Sequence, residues 1–153
     1  MERTLILIKP DAVARGLAGI ILNRFEAKGL KIAGMKMLQL DDAILRDHYS
    51  HLADKPFFPG IAAFMKSLPV IALCLEGKEA VDVCRSLCGV TNARKADPGT
   101  IRGDLSISMQ CNLVHASDST ETAQAEVARF FKADELNDYQ PALINYLLAS
   151  DEM

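Results

Sequence analysis

One of the three histidines in this 153-residue chain, His115, sits in a run whose order suggests chemistry. The run is Asn112-Leu113-Val114-His115-Ala116-Ser117-Asp118-Ser119. It places an imidazole at the end of a short apolar stretch and follows it with small polar residues. Leu113 and Val114 predict strand. Ser117-Asp118-Ser119 predicts a turn entering a helix that carries Glu121 and Glu126. A histidine so placed is held by a strand near a helix start, where backbone N–H groups favour anions. A neutral imidazole offers a nucleophilic lone pair near pH 7. The octet alone still favours the plainer reading, a histidine that ends a strand and caps a helix. Two further runs change the balance.

Pro98-Gly99-Thr100-Ile101-Arg102-Gly103-Asp104 sets a proline and two glycines around one arginine. Arginine is a planar, permanently charged fork suited to phosphate oxygens. Thr4-Leu5-Ile6-Leu7-Ile8-Lys9-Pro10-Asp11 is an apolar strand that delivers a lysine at its end, where the proline stops it. Alone, that lysine is a solvated residue more often than a phosphate contact. Together the three runs suggest a site for a phosphorylated ligand. Neither G-x-x-x-x-G-K-[ST] nor G-x-G-x-x-G occurs, so nucleotide binding by a glycine-rich loop of either kind is not supported.

Strand and helix patterns alternate around these runs. Strands are expected over 3–9, 31–40, 70–75 and 111–116. Gly34 marks a bulge or a close contact within the second. Helices are expected over 17–28, with Ile20, Ile21, Phe25 and Leu17 as its apolar stripe and Gly29 as its stop. Others follow Asp41 or Asp42 as a cap and carry His48 and Tyr49, then cover 61–67 after the turn Phe58-Pro59-Gly60. A further one covers 78–88 and ends at Gly89, and another opens at Ser119 or Thr120 and runs to Phe131. The segment from Val90 to about Gln110 reads as one long irregular loop, the kind that is functional or lies at an interface. A C-terminal extension from about 132 to 153 has some helix. Alternation by itself suggests a parallel α/β sheet.

The ordered motifs resemble the nucleoside diphosphate kinase family from Glu2 to about Phe131. They are Ile8-Lys9-Pro10-Asp11, Arg24-Phe25-Glu26 with Lys28-Gly29, His48-Tyr49, Pro56-Phe57-Phe58, Pro98 to Asp104 and the octet around His115. The resemblance implies an α+β fold in place of the parallel one. It is a ferredoxin-like βαββαβ sandwich with a four-stranded antiparallel sheet, helices on one main face and a long loop insertion, in one domain over 1–153. It also implies transfer of the γ-phosphoryl group of a nucleoside triphosphate, mainly ATP, to a nucleoside diphosphate. The route is a ping-pong cycle through a phosphohistidine.

By the same resemblance His115 is the nucleophile and Glu126 orients its ring, with Ser117 close to both. Lys9, Tyr49, Arg102 and Asn112 surround the ribose and the transferring phosphate. Arg85 and Thr91 contact the inner phosphates. Phe57 stacks on the base and Ile61 lies beside it. Glu126 follows Ser119 by seven residues, about two helical turns, so it can face back toward the strand end. Plainer readings make Glu126 a solvated helix residue, Phe57 and Phe58 core packing, and Tyr49 a half-buried tyrosine. His48 and His51 match no catalytic position and read as surface or structural. Mg²⁺ is expected to arrive mainly on the nucleotide phosphates. Asp118 is expected to hydrogen-bond locally, and Asp11 is not assigned to metal. The family resemblance further implies a homohexamer, with a tetramer as the other assembly. Ala116 and Leu68 stand where many members have glycine, Ala93 where many have proline and Cys111 where arginine is frequent. Ala116 is expected at negative φ, with no geometric need for glycine.

Composition narrows the alternatives. Half the residues are hydrophobic and 24% are charged, as expected of a soluble globular chain. No apolar run approaches the ~20 residues of a membrane span. No signal or transit pattern precedes Thr4, which points to the cytoplasm. The net charge of -3 and the few aromatics argue against a general nucleic-acid grip. Cys74, Cys84, Cys88 and Cys111 form no C-x-x-C pair, and Cys84 and Cys88 read as small buried thiols on one helix face. The rival reading within the family is a catalytically silent interaction module. Such a chain is expected to have lost His115, Lys9 or Arg102, and this one has all three.

Overall fold

The computed structural model describes residues 1–153. Its centre is β1 (Glu2–Ile8), in which Leu5, Ile6, Leu7 and Ile8 are all buried. Alternate side chains of a strand point to opposite faces, so a strand buried at every position needs cover on both sides. β1 pairs antiparallel with β3 (Val70–Gly77) on one edge and with β4 (Val114–Ala116) on the other. β2 (Lys31–Leu38) pairs with β3, giving the order β2-β3-β1-β4 with every pair antiparallel. This is the ferredoxin-like arrangement, not the parallel sheet that alternation alone suggests.

Two helices, α2 (Ala18–Lys28) and α5 (Ala80–Cys88), pack on the face formed by Ile6, Ile8, Leu73 and Leu75. Ile21 and Phe25 form the buried stripe of α2, while Ile20 is exposed, so the stripe is narrower than the sequence suggests. The opposite face, Leu5, Leu7, Ala72 and Cys74, is covered by three other helices. These are α3 (Asp42–His48), α4 (Phe58–Lys66) and α7 (Thr120–Phe130). Helices therefore cover both faces, with the inserted α3 and α4 and the final α7 closing the second. No helix is long and apolar enough to cross a membrane.

Several boundaries move for identifiable reasons. Pro10 stops β1 but also starts a short helix, α1 (Pro10–Ala14), because proline fits the first helical turn. Pro59 does the same in α4, so the expected turn at 58–60 is helical. The cap of α3 is Asp41, whose carboxylate accepts from the Ile44 amide at 2.9 Å. Ser119 caps α7 in the same way. The long loop contains a 3₁₀ turn (Ala93–Lys95) and α6 (Ile101–Leu105), which begins at a Thr100 cap. Gly34 combines both expected roles: the β2–β3 register shifts between Ile32 and Gly34, and an added Cβ would lie 3.0 Å from the Phe131 ring. The expected last strand is shortened to three residues, because Leu113 takes φ of +74°. Ala116 is not among the positive-φ residues, as expected. The C-terminal extension carries a 3₁₀ turn (Ala133–Glu135) and one short α-helix, α8 (Ile144–Leu147).

Candidate active site

β4 places His115 opposite Leu7 of β1. α7 starts at the Ser119 cap and returns Glu126 to the strand end two turns later. Its carboxylate oxygens lie 3.1 and 3.0 Å from His115 Nε2. Ser117 Oγ donates to Glu126 Oε2 at 2.6 Å. Burial pushes the Glu126 carboxyl up, but the bonds from His115 and Ser117 outweigh it and hold the group below the usual range. A carboxylate accepts only, so the shared proton sits on Nε2. That leaves the Nδ1 lone pair free of protein partners.

The second half of the site is a cavity of about 360 Å³ beside His115. Lys9, Tyr49, Arg85, Thr91, Arg102, Asn112 and His115, distant in the sequence, are brought together in its lining. Lys9 Nζ donates to Gln110 O at 2.7 Å and to Asn112 Oδ1 at 2.8 Å. Burial lowers Lys9 to about 8, against the opposing pull of Asp11. Arg102 donates to three backbone carbonyls: Asn112 O at 3.2 Å, Gly89 O at 2.7 Å and Val114 O at 2.7 Å. Its fork has five N–H groups, so two remain for a ligand. Tyr49 is buried enough that its hydroxyl is pushed up to about 12 and stays a donor. No carboxylate lines this cavity, so its residues do not form a cage for a hard cation.

Two expected positions stand apart. Phe57 is exposed at the start of α4 and Ile61 lies one turn on, and neither lines the cavity. Phe58 is buried core, as one of the plainer readings has it. The cysteines are unpaired, with Cys111 exposed and the other three buried.

Two further side chains lie beside these groups. His48 is buried, with its ring centroid 4.6 Å from that of His115, so of its two readings, surface or structural, the structural one holds. Burial, then the neighbouring His115, pushes it down to about 3. Asp11 reaches across to accept from the Leu113 amide at 3.0 Å. The Asp11 signal was its place right after a strand-ending Lys-Pro; the His48 signal was only its neighbour Tyr49.

Comparison with known proteins bears on what such a site is for. The family model described as nucleoside diphosphate kinase matches residues 2–136. A nucleoside diphosphate kinase of Parabacteroides distasonis is 56% identical over 99% of both chains. One from Rhodopirellula baltica is 51% identical over 99% of this chain and all of its own. The structure of a halophilic nucleoside diphosphate kinase from Halobacterium salinarum in complex with CDP superposes with a TM-score of 0.93 at 42% identity, covering 96% of this chain and 98% of that one. A structure from Babesia bovis gives 0.94 at 40% identity, covering 97% of this chain and all of that one. The chain belongs to the nucleoside diphosphate kinase family and is an enzyme of that class.

Proposed function

We propose that this enzyme moves the γ-phosphoryl group of a nucleoside triphosphate, mainly ATP, to a nucleoside diphosphate through a phosphohistidine on His115 Nδ1. The observation that carries this reading is the clamp of Glu126 on Nε2. It fixes the ring and its tautomer and leaves Nδ1 as the nucleophile. In the first half-reaction the Nδ1 lone pair forms the N–P bond as the bond from the γ-phosphorus to the bridging oxygen breaks. The diphosphate leaves. The ring keeps its Nε2 proton, and the carboxylate of Glu126 balances the positive charge that develops. In the second half-reaction a terminal oxygen of another diphosphate attacks the phosphorus, and the N–P bond breaks. Lys9, Arg85 and Arg102 neutralise charge on the transferring group, while Tyr49, Thr91 and Asn112 position it.

Mg²⁺ enters as part of the nucleotide substrate, since the cavity offers it no carboxylate. Phe57 stacks on the base when a nucleotide binds, with Ile61 beside it. Stacking is tolerant of base identity, so purine and pyrimidine diphosphates, ribo and deoxy, are all substrates. The chain works as a cytoplasmic homohexamer, and exposed apolar residues on β2 (Met35, Met37) and in the long loop (Ile107, Met109) supply surface for self-association. Light scattering is expected to give six chains; a stable monomer at micromolar protein would end the assembly reading. For the chemistry, protein mixed with γ-labelled ATP and Mg²⁺ should take up label that is acid-labile and base-stable. Any nucleoside diphosphate should then discharge it. Label that is acid-stable would overturn the phosphohistidine.

A further inference from the structure

Leu113 is one of two non-glycine residues at positive φ, and it is fully buried. The Val114 amide donates to Asn112 O at 2.9 Å, closing a three-residue ring around it. That is a γ-turn with a positive-φ centre, a rare and strained form. Such strain persists only where the surroundings over-determine it. Here they do. The Lys9 amide donates to Leu113 O at 2.8 Å, and Arg102 holds the carbonyls of Asn112 and Val114 on either side. The remaining group, the Leu113 amide, is bonded by Asp11 Oδ2 at 3.0 Å.

We propose that Asp11 is a positioning residue whose carboxylate holds the γ-turn at Leu113, and that this turn brings Asn112 and His115 into one cavity. The inference rests on the reading of His115 as the phosphoryl carrier. In an unbroken strand, residues three apart point to opposite faces. Asn112 and His115 are three apart, yet both line the phosphate cavity. The turn makes this possible, and it also aims Asn112 Oδ1 at Lys9 Nζ. The other Asp11 oxygen is buried with no partner. A half-buried carboxylate with one oxygen buried and unpartnered is a poor choice for packing alone. Its one bond goes to the strained residue.

The test combines single-turnover labelling of His115 with crystal structures. Asp11→Ala should slow labelling by about 30-fold or more, as a small misplacement of reacting groups does. Asp11→Asn keeps an oxygen acceptor and should stay within about 5-fold of the unaltered protein, since a neutral acceptor still bonds an amide. Leu113→Gly has its own cost, from a lost core side chain. On that background Asp11→Ala should cost under about 3-fold, because glycine takes positive φ unaided. The Asp11→Ala crystal structure should show Leu113 at negative φ. Should that variant not fold, Asp11→Leu, similar in volume and without an acceptor, replaces it. The proposal is overturned if alanine and asparagine variants are equally slow, if both match the unaltered protein, or if the loss is unchanged in the glycine background. If the unaltered protein takes no label, the phosphohistidine reading fails, and the crystal structures still decide the turn.

Discussion

Two concavities of equal size, about 360 Å³ each, lie on this molecule. One opens beside His115. The other runs beneath the C-terminal extension and is lined by Leu30, Val83, Tyr139, Ile144, Leu147 and Met153 among others. Both contain cations, and what those cations touch separates them. In the groove, Lys31 pairs with Glu76 at 2.5 Å, so its charge is already balanced. In the cavity, Lys9 and Arg102 bond only neutral amide oxygens. Those bonds hold the side chains in place without cancelling their charge. Volume therefore does not mark the site. Convergent positive charge with no carboxylate partner does, and it is what a triphosphate requires.

The comparison is broken most severely at His115. His115→Ala should abolish acid-labile labelling and lower turnover by at least about four orders of magnitude, roughly 5 kcal/mol of barrier. The fold should survive, because the ring is part-exposed rather than core. Ser117→Ala and Ser119→Ala, which remove rival hydroxyl acceptors, should keep their label. Persistent acid-labile label in the alanine variant would move the assignment to His48 or His51.

The uncancelled charge of Lys9 gives the next effect. Lys9 sits at about 8, below the ordinary lysine value, so it loses its proton in the mildly alkaline range. It is the protonated form that holds phosphate. In the free enzyme, kcat/KM should therefore fall as pH rises through about 8, approaching tenfold per unit above it. A bound polyphosphate favours the cation, so kcat should hold to higher pH. Lys9→Arg should remove the alkaline limb in this range, since arginine does not deprotonate there. An unchanged limb in that variant would assign it to another group.

Much of this contrast was legible in the sequence, and the reasons are local. The burial of β1 on both faces follows from Leu5-Ile6-Leu7-Ile8, and Lys9 follows directly. The family resemblance implied the clamp of Glu126 on His115, and the Ser119 cap with its seven-residue spacing allowed it. Strand direction was not legible, because periodicity says nothing about which neighbour a strand pairs with. Nor was the break at Leu113: leucine carries no turn signal, and its φ is imposed by Asp11, Lys9 and Arg102 from distant parts of the chain. Which of its two readings, surface or structural, holds for His48 was not legible for a similar reason. Its burial against His115 depends on how α3 packs on α7, which no short motif encodes. The helix around Arg102 was hidden by its two glycines, which read as loop until the Thr100 cap is seen.

Phe57 sharpens the comparison from outside the cavity. It is 55% exposed and does not line it. Phe57→Ala should raise KM by roughly 5- to 150-fold, the range of about 1–3 kcal/mol for a lost stacking partner. The change should be similar for purine and pyrimidine diphosphates and somewhat larger for purines, which stack over more area. kcat should move little, since the ring makes no contact with the transferring group. Steady-state kinetics with four diphosphates decides this. Loss of one base alone, with the others untouched, would mean that a hydrogen-bond reader has been overlooked.

The smallest effect on turnover is expected at the second concavity. Gly29 ends α2 at φ of +102°, a conformation that disfavours any side chain. An added Cβ would also collide with Leu147 of α8, which closes over it. Gly29→Ala should therefore cost about 1 kcal/mol or more in stability from the backbone alone, with displacement of the tail added. For a chain of this size that lowers Tm by roughly 3 °C or more at fixed protein concentration. Yet kcat and kcat/KM should stay within about twofold, because the groove carries no group that the transfer uses. Differential scanning fluorimetry beside a coupled assay measures both. If turnover falls as far as stability does, the tail is coupled to the phosphate cavity, and the two concavities are one system rather than two.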